Sequence, residues 1–203
     1  SALKGVRAEC RAEVYRDDTL WSESAGEIQF TEYGLSGPVI FEVSRDVCQG
    51  KGDWQCRLDL LPQISERQLE KMLLARRETK LNAGDLFTGI LHNRLGRVLV
   101  QEIGIGLNTP IAQLPEAAAV RAAASAKCFS VHLTEPLGMD SAQVTAGGVV
   151  TEEFDGTTME SRLVPGLYAC GEVLDVDGDC GGYNLQWAWS SGSLAGQNAG
   201  RGE

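Results

Sequence analysis

Hydrophobic and polar residues alternate along much of the first sixty residues. The alternation covers residues 3–15 and 26–31, and strand character returns over residues 54–61. A period of two is typical of strands that bury one face. Asp17 and Asp18 mark the turn between the first two strands. We therefore expect a β-rich segment at the start of the chain.

A short helix is expected between the second and third of these strands. Ser36 or Gly37 can cap its start, and Pro38 suits its first turn. Val39, Ile40 and Val43 would then form its apolar stripe.

The hydrophobic period changes to about 3.6 from Ser65 onward. Ser65 and Gln68 have the spacing of a capping box, and Leu69, Met72, Leu73 and Arg76 follow at helical spacing. Further helices are predicted over residues 83–93, 95–103 and 115–127, and a strand over residues 128–133.

The last sixty residues are dense in glycine. Residues 166–171 predict a short buried strand, an acidic glycine-containing loop follows, and residues 183–200 predict a helix. A strand, a glycine loop and a helix in this order present backbone N–H groups to an anion or a carbonyl.

Composition and charge exclude several classes of protein. The 203 residues carry a formal net charge of -10, which disfavours binding to nucleic acid. Apolar runs are far shorter than the ~20 residues of a membrane span, and the N-terminus has no apolar signal core. We therefore expect a cytoplasmic protein whose six cysteines are reduced thiols.

Short motifs for other chemistries are incomplete. There is no CxxC pair and there are two histidines, so a metal site is not expected. The run 175–179 begins like a calcium loop, but Cys180 and Gln186 stand where glycine and glutamate are needed. The run 104–109 lacks the third glycine of GxGxxG, which favours a turn between helices. The sequence lacks the GxSxG elbow of a serine hydrolase, and His92 and His132 are better explained by structural roles.

Several long motifs near the C-terminus occur together and in order. They are QVTAGGV at 143–149, TMESRLVPGLY at 158–168, GEVLDVDG at 171–178 and GGYNLQWAWSSG at 181–192, with GEIQFTEYGLSGP at 26–38. This set closely resembles the BaiN-type bacterial NAD(P)/FAD-dependent oxidoreductases, a family that includes aminoacetone oxidase.

The resemblance implies an α+β fold in which an insert interrupts an FAD-binding domain. Residues 1–62, with a returning strand near 128–140, would be a β-barrel-like part, and residues 63–127 a helical subdomain. Residues 141–203 would be the C-terminal portion of the α/β FAD-binding domain. The family opens with a strand, a GxGxxG turn and an acidic residue, and none of these is present. We therefore expect a fragment that is inactive and lacks bound FAD by itself, although its parent binds FAD.

The predicted cofactor contacts cluster in the glycine-rich tail. Gly181 and Gly182 allow close approach, and the first N–H groups of the following helix can stabilise negative charge at flavin N1 and the C2 carbonyl. Glu172 would accept hydrogen bonds from ribitol or sugar hydroxyls. The full predicted set is Thr145, Gly147, Gly171, Glu172, Gly181, Gly182, Asn184, Leu185 and Gln186. A glycine loop that merely caps a helix is the alternative, and no residue is a convincing acid–base catalyst.

The parent is thus predicted to be an FAD-dependent oxidoreductase with NAD(P)H as a candidate partner, and the sequence does not distinguish between NADH, NADPH and oxygen. Its chemistry would belong to the flavin, and its substrate cannot be read from the sequence. The main alternative is a non-catalytic insert that serves as an interaction domain without cofactor. Nucleic acid and membrane are not expected as partners, whereas the incomplete FAD-domain surface could associate with a second copy.

Overall fold

The computed structural model describes residues 2–200. The chain divides into two compact units, with the boundary in the sequence between Pro136 and Leu137. Strands and helices both contribute to the first unit, while the second holds one long helix and several short bridges. This mixture confirms the predicted α+β class.

Five strands form one curved antiparallel sheet in the first unit. They are β1 (Arg7–Arg16), β2 (Thr19–Phe30), β3 (Leu35–Ser36), β4 (Trp54–Asp59) and β5 (Phe129–Leu133), in the order β3-β2-β1-β4-β5. Ala12 lies opposite Ser24 of β2 and Leu58 of β4, which fixes the register of the central strand. Asp17 and Asp18 both adopt positive φ angles in the predicted turn between β1 and β2.

The alternation in the sequence becomes the two faces of this sheet. Cys10, Ala12 and Val14 of β1 are buried, as are alternate residues of β4. Arg11 on the outer face pairs with Glu23 of β2 at 3.1 Å. The rings of Phe30 and Phe129, from β2 and β5, meet edge to face at 6.5 Å between centroids. Side chains rather than backbone ladders therefore bring these two strands together.

The predicted helix after β2 is α1 (Pro38–Gln49). Gly37 precedes it with a φ of 99°, and a Cβ atom there would stand 2.7 Å from the carbonyl oxygen of Glu27. Glycine is therefore required where α1 crosses β2.

Three further helices complete the first unit: α2 (Glu66–Ala75), α3 (Asn93–Glu102) and α4 (Glu116–Lys127). The capping box at α2 is confirmed, because Ser65 and Gln68 bond each other's backbone N–H groups. His92 caps α3 by accepting a hydrogen bond from Arg94 N at 3.2 Å, which is a structural role.

Lys127, the last residue of α4, ties the helices to the sheet. Its ammonium group contacts Asp59 Oδ2 at 2.6 Å and donates to the carbonyl oxygens of Leu61 at 2.9 Å and Ile64 at 2.8 Å. We call these groups the Lys127 clasp.

The helix predicted over residues 83–93 is wrong. This segment holds a 3-10 turn at Ala83–Asp85, and irregular turns follow it. Ala83 N donates to Thr109 O and Gly84 N to Leu107 O, each at 2.8 Å. Within the segment, Leu86 N bonds Ala83 O at 3.0 Å and Ile90 N bonds Phe87 O at 2.9 Å, which are turn bonds of the 3-10 type. Gly89 has a φ of 77°, which is incompatible with an α-helix. The run 104–109 is a turn region after α3, as expected, and Gly104 has a φ of 77°.

The second unit is built around α5 (Tyr183–Ala199), the helix predicted at the end of the chain. Three isolated bridges accompany it among the described residues, joining Val149 to Leu174, Phe154 to Ser161 and Glu160 to Tyr168. The buried apolar side chains of the second unit are Phe154, Met159, Leu174 and Ala195.

The buried strand predicted over residues 166–171 is also wrong. Tyr168 makes one bridge to Glu160, Leu167 is 47% exposed, and a 3-10 turn begins at Gly171. A buried strand needs ladder partners on both edges, and the described residues supply only that one bridge here.

The six cysteines all lie within residues 2–200, and no two of them form a disulfide. Cys10 and Cys56 are buried in the sheet, and the other four are exposed. Burial is the main cause that raises the pKa of each buried thiol to about 12. Across residues 2–200, no helix is both long and apolar enough to cross a membrane.

Candidate functional site

The start of α5 is the centre of the candidate site. Gly181 and Gly182 precede the helix with φ angles of 129° and 96°, and no side chain caps it. Gln186 N makes the first bond of the helix, to Gly182 O at 2.9 Å. By helix geometry the N–H groups of the first turn have no partner within the helix. The site therefore offers backbone donors and the positive end of a helix dipole.

The two glycines leave this end of the helix open. A Cβ atom at Gly182 would meet no atom within 4 Å, and one at Gly181 would meet the Tyr183 ring at 3.7 Å. The requirement for glycine therefore comes from the backbone angles and not from crowding.

Gly171 is held against the side of α5 by two side chains. Gly171 N donates to Ser191 Oγ at 2.9 Å, and Trp187 Nε1 donates to Gly171 O at 3.0 Å. Ser191 is 2% exposed, and its hydroxyl donates in turn to Trp187 O at 2.6 Å. This fixes the 3-10 turn Gly171–Val173 beside the second turn of the helix.

Glu172 connects that turn to the segment before it. Its Oε1 accepts a hydrogen bond from Thr145 N at 2.6 Å, across 27 positions of sequence. The segment that contains Thr145 then passes close to the backbone of residues 173–175. At Gly148 a Cβ atom would stand 2.7 Å from Asp175 N. Val149 continues as a parallel bridge to Leu174.

Asn184 holds the acidic loop in front of α5. Its Oδ1 accepts from Gly178 N at 2.8 Å, and its Nδ2 donates to Gly178 O at 2.9 Å. The side chain of this predicted site residue is therefore used within the protein, so its backbone N–H is what remains for a ligand.

The structure brings the predicted residues together in two groups. Thr145 and Glu172 are bonded beside Gly171, and Gly147 lies two residues after Thr145 with a φ of 93°. The second group is the start of α5, with Gly181, Gly182, Asn184, Leu185 and Gln186. Leu185 is 68% exposed, and Gln186 Nε2 bonds Ser190 Oγ at 2.9 Å.

Sequence reasoning missed the roles of Trp187 and Ser191. The bond between Ser191 and Trp187 could have been predicted, because a serine in a helix can donate to the carbonyl group of the residue four positions earlier. Without the position of Gly171, however, nothing indicated from which donor the Ser191 hydroxyl would accept a hydrogen bond.

Charge is distributed unevenly between the two units. Acidic residues outnumber basic ones by eight over residues 137–203 and by two over residues 1–136. Asp175, Asp177 and Asp179 lie in the loop before α5. Within residues 2–200, no three histidine, cysteine, aspartate or glutamate side chains are placed to hold a metal ion.

Comparison with known protein families gives two matches that together span most of the chain. Residues 1–144 match the HI0933-like protein barrel and H2TH domain. Residues 107–198 match the HI0933-like protein Rossmann domain.

Three characterised proteins are also similar to the chain. It is 36% identical over 200 residues to a 3-dehydro-bile acid delta(4,6)-reductase of Clostridium scindens, covering 96% of this chain and 49% of that protein. It is 37% identical over 168 residues to a ribosomal RNA dihydrouridine synthase of Escherichia coli, covering 80% and 39%. The Haemophilus influenzae protein of that name is 32% identical over 181 residues, covering 81% and 40%.

The chain thus spans about half the length of these relatives or less. The family matches agree with the barrel-like sheet, the helices and the C-terminal motifs, and they confirm the predicted resemblance. The chain belongs to the HI0933-like family, which is the BaiN-type family that its motifs resemble.

Proposed function

We propose that this chain is part of an FAD-dependent oxidoreductase that uses NAD(P)H. The division into residues 1–62, 63–127 and 141–203, with a returning strand near 128–140, belongs to this proposal. The observation that carries it is the uncapped start of α5 behind two glycines of positive φ. The Rossmann-domain match favours an oxidoreductase over the alternative of a cofactor-free interaction domain.

The residues at the start of α5 fit one part of FAD better than the rest. Three aspartates in the preceding loop would repel the pyrophosphate, whose negative charges need a different site. The pyrimidine edge of the isoalloxazine ring is uncharged before reduction and gains negative charge at N1 and the C2 carbonyl. Backbone N–H groups at a helix start stabilise such charge without titrating. Bound FAD would supply the hydride chemistry, and this chain would orient the ring and stabilise its reduced form.

Glu172 is proposed to bind the ribitol chain through its second oxygen. Oε1 is already engaged by Thr145 N, so the carboxylate is fixed in orientation. Among residues 2–200, no hydrogen bond to Oε2 is present, and this atom can accept one from a hydroxyl group. Thr145, Gly147 and Gly171 would then act by shaping the backbone around the carboxylate.

The names of the relatives indicate a substrate class. A 3-dehydro-bile acid delta(4,6)-reductase acts on double bonds conjugated to a ketone. Dihydrouridine is uridine with hydrogen added across a double bond conjugated to a ring carbonyl. We infer that the substrate here is a carbon–carbon double bond conjugated to a carbonyl group. Its reduction adds a hydride to the β-carbon and a proton to the α-carbon, and the electron pair comes originally from NAD(P)H.

Cofactor binding can be tested in a complex with the part of a relative that this chain does not cover. The chain would be co-expressed with the part of the C. scindens reductase that the match leaves out, and FAD would be measured by absorbance after gel filtration. Gly182→Val should lower FAD content at least ~10-fold, because a β-branched residue is strained at this φ and blocks the helix start.

Gly166→Val is the matched control for this experiment. Gly166 also has a positive φ, of 80°, and a Cβ atom added there would meet no atom within 4 Å, yet it is not part of the site. The control should keep FAD. Equal loss in both variants, or full FAD in Gly182→Val, would contradict the proposed site. Cys180→Ser should also retain flavin, since its thiol is assigned no chemistry.

Substrate class can be tested on the same complex under anaerobic conditions. NAD(P)H oxidation should require an added enone, and the saturated ketone should not support it. A net charge of -10 favours a small molecule over RNA. Reduction of uridine in ribosomal RNA but not of a free enone would overturn the small-molecule assignment, and no turnover with either would overturn the substrate class.

A further inference from the structure

Ser191 is a polar residue in the interior of the second unit, with 2% of its surface exposed. Its hydroxyl group has a single proton, which is donated to Trp187 O at 2.6 Å. Toward Gly171 N, at 2.9 Å, the same oxygen can therefore act only as an acceptor. The first bond lies within α5, whereas the second connects the helix to the 3-10 turn Gly171–Val173. The polarity of both bonds is thus fixed by one side chain.

The two peptide groups on either side of the Gly171 Cα atom are both held by α5. The peptide group before it donates its N–H to Ser191 Oγ. The peptide group after it accepts from Trp187 Nε1 at 3.0 Å through its carbonyl oxygen. The orientations of these two groups define the φ and ψ angles of Gly171. Glycine has access to many backbone conformations, so the two bonds select the one observed, with a φ of 69°.

Both ends of the Glu172 side chain are held as a result. Its backbone follows directly from the second of the two peptide groups, and its Oε1 accepts from Thr145 N at 2.6 Å. A glutamate side chain that is free at either end samples several rotamers, and ordering it at the moment of binding lowers affinity. Here the carboxylate is ordered before a ligand binds.

We propose that Ser191 and Trp187 are positioning residues that hold the Glu172 carboxylate for a ribitol hydroxyl group of the flavin. This inference rests on the proposed function, in which Glu172 Oε2 accepts that hydrogen bond. Ser191 needs no contact with the flavin for this role, because its hydroxyl group is buried and already bonded on both sides. The two residues therefore determine recognition of the ribityl chain and not of the ring.

Riboflavin and lumiflavin separate these two contributions, because lumiflavin carries a methyl group in place of the ribityl chain and neither carries a pyrophosphate. Their dissociation constants would be measured by flavin fluorescence on the flavin-free form of the complex with the C. scindens segment. Ser191→Ala should weaken riboflavin binding ~10-fold and lumiflavin binding less than ~2-fold. Trp187→Phe should have a smaller effect of the same kind, about 3-fold, because Leu174 N still bonds Gly171 O at 3.2 Å.

Ser193→Ala is the matched control, since it removes the same atom from an exposed serine of the same helix. It should leave the ratio of the two affinities unchanged. Glu172→Ala should also weaken riboflavin binding, and Ser191→Ala should add less than ~2-fold in that background, because the group it positions is gone. Equal weakening of both flavins by Ser191→Ala, or full additivity with Glu172→Ala, would overturn the positioning role.

Hydrogen exchange on the full chain without flavin tests the same role independently. In Ser191→Ala the Thr145 N–H should exchange at least ~5-fold faster, as it should in Glu172→Ala. Arg162 N, which bonds Glu153 O at 2.7 Å in the same unit, reports general loosening and should change less than ~2-fold. Unchanged exchange at Thr145, or equal acceleration at Arg162, would overturn this inference alone. A wild-type complex that binds neither flavin would overturn the proposed function and this inference with it.

Discussion

Replacing Lys127 by methionine should destabilise the first unit strongly. Methionine keeps most of the apolar stem but removes the ammonium group and its contacts with Asp59, Leu61 and Ile64. The Asp59 carboxylate then loses its cation, and two carbonyl groups lose a donor. The side chains of Lys127 and Asp59 are only 16% and 23% exposed, so water replaces these contacts poorly.

The expected loss follows from that partial burial. Breaking a fully buried pair costs about 3–5 kcal/mol, and the remaining exposure lowers this to about 2–3 kcal/mol. With a urea slope of about 2 kcal/mol per molar, the unfolding midpoint should fall by about 1–1.5 M. Hydrogen exchange at Leu60 N, which bonds Ala126 O at 2.9 Å beside the clasp, should quicken in parallel.

Two controls separate the clasp from general effects of the substitution. Lys71→Met changes an exposed lysine of α2 and should alter the free energy of unfolding by less than about 0.5 kcal/mol. Asp59→Asn combined with Lys127→Met should be less damaging than the sum of the two single changes, by at least ~1 kcal/mol. A loss below about 1 kcal/mol for Lys127→Met, or strict additivity in the cycle, would refute this reasoning.

Three other predictions concern the first unit. His92→Asp should raise the free energy of unfolding by about 0.5–1 kcal/mol and His92→Ala should lower it by a similar amount, because aspartate caps a helix start better and alanine cannot accept from Arg94 N; equal urea midpoints would contradict this. Cys10 and Cys56, whose pKa values are raised to about 12, should resist alkylation at pH 8 while Cys128 reacts, as peptide mass spectrometry can show. Because burial raises these pKa values, the two buried thiols should contribute fully to the free energy of unfolding below pH ~9. That contribution should decline between pH ~9 and ~12, where the thiols of the unfolded chain ionise first.

Local patterns in the sequence predict the elements that depend on local forces. The alternation of β1, the turn at Asp17 and Asp18, and the capping box of α2 all involve residues within a few positions of each other. Each of these features is present in the structure because the distant contacts made there, such as the pairing of β1 with β4, are compatible with the local pattern.

The failures occur where contacts with distant segments, or a glycine of positive φ, position the backbone. Residues 83–93 have helical spacing, yet Ala83 and Gly84 bond residues 109 and 107, and Gly89 adopts a φ of 77°. In the candidate site, motif resemblance could select Thr145 and Glu172 but could not show that they bond each other. Sequence spacing contains no information about a contact between residues so far apart.

The two-sided hold on Gly171 has a mechanical consequence. Its N–H and its carbonyl are both fixed to α5, through Ser191 and Trp187, so the turn cannot slide along the helix without breaking a bond. Glu172 extends this connection to Thr145. A displacement of α5 is therefore expected to move the 3-10 turn Gly171–Val173 with it, and through Glu172 also the segment around Thr145. Three segments that are remote in sequence are thus mechanically coupled.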